Sequence, residues 1–321
     1  MSRTLRSASP LLLLSVLVGL ASCGRSGAGT ATAPAAMPLL HLLHPNTPIV
    51  AHYDFDGLRR SPYYDSMREL VDAGTQGQRE QVEGFFRVLD HTDHVVVGFE
   101  PFGGGPDETL VAMRGAFEPR HLEAISGFHE AATYRTHELR GSGSDWMSVP
   151  TADTALLGQL QEVHDALDRL DGVFPGTGPT RPGFAEAAAL AQLGERDCSM
   201  VWVFTDEMRA ELGQGHVEHV LHENGVSAGG WFSLRDGLQL EAFITTNEAA
   251  AVPVLAHALR EALTEAEENP VLVALGATTV LQQVTLHEED TTFRVTLSVT
   301  DAQVRELLAN ALRLVQSASV D

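Results

Sequence analysis

The chain has 321 residues, 44% of them hydrophobic, and 21 basic residues stand against 43 acidic ones for a formal net charge of −22. That length supports one large domain or two smaller ones, and that charge repels phosphate backbones and anionic headgroups, which excludes nucleic acid as a partner. Every basic residue is arginine, so chemistry that needs a lysine (a Schiff base, a phosphate-loop lysine, a Ser-Lys dyad) is excluded too.

Residues 1–10 carry Arg3 and Arg6 and no acid, and residues 11–20 form an apolar run of about ten residues. A spanning helix needs roughly 20 apolar residues. A charged start before a short apolar core is instead the pattern of a secretory signal, here residues 1–22. The next four residues, Leu20-Ala21-Ser22-Cys23, resemble the lipobox of bacterial lipoproteins. The resemblance implies cleavage before Cys23 and a diacylglycerol on its sulfur, often with an acyl chain on the new amine. Two or more chains are what stable anchoring requires. Gly24 is not the aspartate that marks inner-membrane retention in enteric bacteria, so the expected address is the outer membrane, facing the periplasm or the exterior. Beyond this covalent lipid, the one cofactor the sequence leaves open is a divalent metal at the histidine cluster of residues 216–223.

Residues 25–38 are rich in Gly, Ala, Ser, Thr and Pro with no apolar period. Such a composition does not bury enough surface to offset chain entropy. A flexible tether is therefore expected over residues 23–45, with His41 and His44 at its edge. Once Cys23 is acylated, Cys198 is the one remaining thiol and no internal disulfide can form. At the start of an apolar run, Cys198 reads as a small core residue.

The first half, residues 46–172, opens with a strand near residues 49–53. Asp56 is placed as the N-cap of a helix over residues 58–71, and a second helix covers residues 81–89. A hairpin joins residues 94–99 to 109–117 through the turn at Gly103-Gly104-Gly105-Pro106-Asp107. Pro119 starts a further helix, strands follow at 133–139 and 146–149, and an amphipathic helix runs over 159–170. The Gly- and Pro-rich residues 173–183 are the linker.

The second half, residues 184–321, retraces this order. A strand at 200–204 leads to the helix start Thr205-Asp206-Glu207-Met208-Arg209, and residues 51–59 can be laid on 201–209. A hairpin turns at Arg235-Asp236-Gly237, a helix covers 249–267, and a second hairpin turns at Glu289-Asp290. Asp301 caps the last helix, to about residue 315. Each half reads β-α-β-β-α-β-β-α, which disfavours a doubly wound nucleotide fold. The expected class is α+β: two related halves, with antiparallel sheets and helices packed on one face. This order resembles that of uncharacterised bacterial lipoproteins and exported proteins.

The candidate chemistry is sparse. In Gly215-His216-Val217-Glu218-His219-Val220-Leu221-His222-Glu223, a helix would set Val217, Val220 and Leu221 on one face. His216, His219 and Glu223 would fall on the other, where imidazole and carboxylate could share a divalent metal. The order differs from H-E-x-x-H, and the competing reading is a solvated polar face. His91-Thr92-Asp93-His94 reads as a turn. Asp54 and Asp56 would share a strand face, but capping outweighs an acid–base pair. The three glycines at 103–105 lack the phosphate-loop lysine, no G-x-S-x-G elbow occurs, and Trp146, Trp202 and Trp231 read as core.

The sequence thus points to a membrane-tethered, non-enzymatic binding or structural lipoprotein of the cell envelope, its ligand or envelope-protein partner seated between the halves. The alternative is a metal-dependent hydrolase or metal-binding protein using His216, His219 and Glu223.

Overall fold

The structure, a computed structural model, describes residues 37–74, 84, 86–100, 108–118, 128–212 and 215–318. Strands β1 (Ile49–Asp54), β2 (Thr92–Glu100), β3 (Glu108–Gly115), β4 (Glu130–Tyr134), β5 (His137–Ser142), β6 (Asp145–Thr151) and β7 (Thr154–Gln159) belong to the first half. The second contributes β8 (Cys198–Val203), β9 (Gly225–Ser233), β10 (Leu238–Thr246), β11 (Thr285–Glu289) and β12 (Thr292–Val299). All twelve pair antiparallel in one sheet, ordered β11-β12-β10-β9-β8-β1-β2-β3-β7-β6-β5-β4. The class is α+β, as the element order implies. The two halves share a single sheet rather than holding one each.

The repeat is visible in that order. β1-β2-β3-β7-β6 matches β8-β9-β10-β12-β11, and the β5–β4 hairpin is an addition outside β6. The halves meet where β1 pairs β8, with Val50 opposite Val201, both wholly buried. The helix after β1 is capped by Asp54, which accepts from the Gly57 N–H, and the helix after β8 by Thr205, which accepts from the Met208 N–H. Matching these caps puts Val50 on Val201. The sequence alignment, which set Ala51 on Val201, is one residue out. In a strand a one-residue slip moves every side chain to the other face. Val50 and Val201 lie in one core cluster while Ala51 lies in the other, so only the corrected register keeps equivalent residues on the same side.

Asp54, not Asp56, is the N-cap. Asp56 sits in the first helical turn and pairs with Arg60 at 2.8 Å. The single helix expected over 58–71 is two, Phe55–Arg59 and Tyr64–Gly74. Pro62 falls in the break, where a ring without an N–H cannot continue a helix. The strand expected over 133–139 is the turn of the β4–β5 hairpin, with Arg135 in the left-handed region at φ 53°. Strand β7 and the helices Phe184–Leu190, Pro270–Leu275 and Thr278–Leu281 have no counterpart in the sequence reading. The turn at 103–107, the Pro119 helix and much of the 81–89 helix lie outside the described residues.

Alternate residues of the central strands feed two cores on opposite faces of the sheet. Val50, Val96, Leu110, Ala112 and Val201 meet Val163, Ala166 and Leu167 of helix Leu160–Leu170 and Phe184 and Ala187 of helix Phe184–Leu190. Ala51, Tyr53, Val95, Val111 and Cys198 meet Phe55, Leu58, Tyr63, Val280 and Val304. A third cluster joins helices His216–Asn224 and Ala251–Glu267 to Phe293. Helices therefore cover parts of both faces.

The segment placed at the end of the tether is core. Leu39, Leu40, Leu42 and Leu43 are buried in the first cluster, so this end of the tether expected over residues 23–45 belongs to the folded body. The linker between the halves crosses this segment. Gly176 lies against the His41 carbonyl, Gly178 adopts φ 67° against the Leu40 carbonyl, and the Thr180 N–H donates to the Pro45 carbonyl at 2.8 Å. Arg169 donates to the Leu42 carbonyl at 2.9 Å. Among the described residues no helix is long and apolar enough to cross a membrane.

Candidate functional site

Among the described residues, a polar constellation sits beside the seam between the halves, where β1 ends and β8 begins. In β1, Val50, His52 and Asp54 share a face, and in β2 the opposing His94 and Val96 face the same way. His52 is completely buried, stacked on His94 with ring centroids 5.6 Å apart and Nε2 3.4 Å from the His94 Nδ1. The His94 Nδ1 lies 3.8 Å from the Asp54 Oδ1. The guanidinium of Arg235 then bridges two carboxylates, 3.8 Å from Asp54 Oδ2 and 3.0 Å from Asp197 Oδ1. Asp197 Oδ2 accepts from the Ser233 hydroxyl at 3.1 Å and the Leu234 N–H at 2.6 Å, and the Asp54 N–H donates to the Asp197 carbonyl at 2.8 Å. The cluster ties together β1, β2, the start of β8 and the end of β9.

Burial governs its electrostatics. Loss of water, and then the neighbouring His94, push the His52 imidazole down to about 3, so it is neutral at ordinary pH. Burial also raises the Asp197 carboxyl, against the opposing pull of Arg235 and of the Ser233 hydrogen bond. His52 Nδ1 and Trp231 Nε1 are buried without a hydrogen-bond partner, on either side of Ser199 in one cross-strand row. The Ser199 hydroxyl accepts from the N–H of Gly194, whose φ of 84° brings that backbone over the row. The Arg196 guanidinium lies 3.9 Å from the Trp231 ring centroid.

This arrangement can share a proton between two imidazoles and hold two carboxylates around one guanidinium. Cys198, next to Asp197 in the chain, points into the opposite core. Burial, and then the Asp197 charge, push that thiol well above its ordinary value, which keeps it protonated and inert. These pairs form a polar clasp between the halves.

Of the residues singled out by sequence, Cys23 lies outside the described residues. Residues 216–224 form the expected helix, His216–Asn224. His219 Nε2 and Glu223 Oε1 approach to 3.5 Å on its exposed side, and His222 turns away to place Nδ1 3.0 Å from the Arg209 carbonyl. The side chain of His216 lies outside the described residues. Among the described residues, no group of three or more His, Cys, Asp or Glu is arranged to hold a metal ion. His94 is in β2, which starts two residues before the strand expected at 94–99, and Asp54 meets Asp197 through Arg235 rather than Asp56. Trp146 and Trp231 are core, whereas Trp202 is exposed. The one sequence signal for the seam cluster was a histidine inside the apolar run Ile49-Val50-Ala51-His52-Tyr53. Its partners come from residues up to 183 positions away, which no local pattern discloses.

No protein-family model matches the chain, and no curated protein matches it. Solved structures do. Crystal form I of TP0453 has a TM-score of 0.51 at 10% identity, covering 88% of this chain and 98% of that one. Crystal form III of TP0453 has a TM-score of 0.52 at 11% identity, with 88% and 99% covered. At such identity the likeness is one of fold, over nearly the whole of the described body.

Proposed function

We propose that the chain is a lipid-anchored bacterial envelope protein, processed before Cys23, whose folded body binds or scaffolds a partner and does not catalyse a reaction. The observation that carries this reading is the Leu20-Ala21-Ser22-Cys23 motif, preceded by the charged start and the short apolar run. Three further features support it. The acidic body repels anionic headgroups, so attachment depends on covalent lipid. The other cysteine, Cys198, is buried and is no competing site for modification. The carboxylates of the polar cluster at the seam are committed to internal pairs.

Expression in a diderm bacterium with the lipoprotein signal peptidase blocked should leave a longer precursor. Mass spectrometry of the untreated, purified protein should find an acylated Cys23 at the N-terminus. A bare cysteine there, or a different first residue, would contradict the reading.

A further inference from the structure

We infer that the linker between the halves carries a membrane-contact patch, Val173 and Phe174, which lies against the lipid surface beside the anchor. The inference rests on the proposed lipidation of Cys23. Val173 and Phe174 are 46% and 50% exposed, two large apolar side chains in succession on an acidic protein. They are held rigidly: both N–H groups donate to the Asp168 carbonyl at the end of helix Leu160–Leu170, at 2.8 and 3.3 Å, and Gly172 makes the turn with φ 74°. The Asp168 carboxylate in turn accepts from Arg135 at 2.7 Å and Tyr134 at 3.1 Å, so the β4–β5 turn buttresses the same corner.

The position of this corner identifies its occupant. Two residues beyond Phe174, a Cβ on Gly176 would stand 3.0 Å from the His41 carbonyl, in the segment through which the chain leads back to Cys23. Only residues 24–36 separate Cys23 from the first described residue. A chain of that length reaches at most about 50 Å fully extended. An anchored body is thereby held with the corner around His41 near the leaflet, and two exposed apolar side chains there meet lipid rather than water. Two side chains alone do not hold a protein to a bilayer, so the patch orients the body while the lipid retains it.

The test uses full-length lipidated protein in phosphatidylcholine vesicles, with Phe174→Cys carrying an environment-sensitive fluorophore. The acylated Cys23 and the buried Cys198 leave position 174 as the labelled thiol. Asp72→Cys, exposed on helix Tyr64–Gly74 over the opposite face, is the reference. The label at 174 should shift to the blue and be quenched by spin-labelled lipid about two-fold more strongly than the label at 72. Equal quenching at both positions, on protein whose acylated Cys23 is verified by mass spectrometry, overturns the patch and leaves the lipoprotein reading intact. An unacylated Cys23 overturns both.

Discussion

His52 Nε2 lies 3.4 Å from His94 Nδ1, at the point where the sheet passes from one half of the molecule to the other. The corrected repeat places His52 where the second half has Val203, an apolar residue in an equally buried position. One half thus fills this site with a side chain that needs no partner. The other fills it with an imidazole that finds only one.

Acid should expose that difference. The folded-state value of His52, about 3, lies below the ordinary 6.5, so the unfolded chain takes up this proton first as pH falls. The contribution is fully present above pH 6.5 and is lost progressively from there towards pH 3. Between pH 7 and pH 5 this one group removes about 2 kcal/mol. His52→Val should flatten that slope and leave stability at pH 7 within about 1 kcal/mol, because the buried Nδ1 has no partner to lose. Urea unfolding midpoints at the two pH values read it out. A variant with the same pH slope as the parent would refute the assignment.

Gly57 is confined by both carboxylates of the seam. A Cβ there would lie 2.5 Å from Asp54 Oδ2 and 3.2 Å from Asp197 Oδ1. Gly57→Ala should therefore displace the Asp54 cap and cost about 1–3 kcal/mol. A thermal midpoint equal to that of the parent would show that the carboxylates are not held as described.

Asp197→Ala should be costlier than Asp197→Asn. Alanine removes the acceptor of the Ser233 hydroxyl and the Leu234 N–H and the nearer carboxylate of Arg235, a loss of about 3 kcal/mol. Asparagine keeps an acceptor for one of the donors. Chemical denaturation of the two variants at pH 7 gives the comparison, and equal losses would count against a buried hydrogen-bonded role.

Leu43 is 1% exposed in a segment placed within the expected tether of residues 23–45. Leu43→Ala should cost about 2–4 kcal/mol, as for other buried leucines, whereas a tether residue would change nothing. Calorimetry distinguishes the two directly.

His219 and Glu223 form an exposed pair one helical turn apart, which contributes about 0.5 kcal/mol or less. His219→Ala should leave stability almost unchanged. Protein purified without a histidine tag should contain no stoichiometric transition metal. A metal that is present and lost with His219→Ala would revive the hydrolase reading.

The chain by itself determined what depends on neighbours a few residues apart. The α+β class, the hairpin at Asp236-Gly237, the helices around 160–170, 216–224 and 251–267, and the existence of an internal repeat were all legible from local spacing. Tertiary structure decided the rest. The leucines at 39–43 follow directly on a stretch of tether-like composition, and contact with the linker and with helix Leu160–Leu170 makes them core. The repeat was visible but its register was not, because a strand's two faces differ by one residue and only packing says which face is which. The seam cluster joins residues 52, 54, 94, 197, 233 and 235, brought together because β1 pairs with both β2 and β8. Pairing across a sheet is set by burial of whole faces, and the positions that will meet carry no shared mark in the sequence.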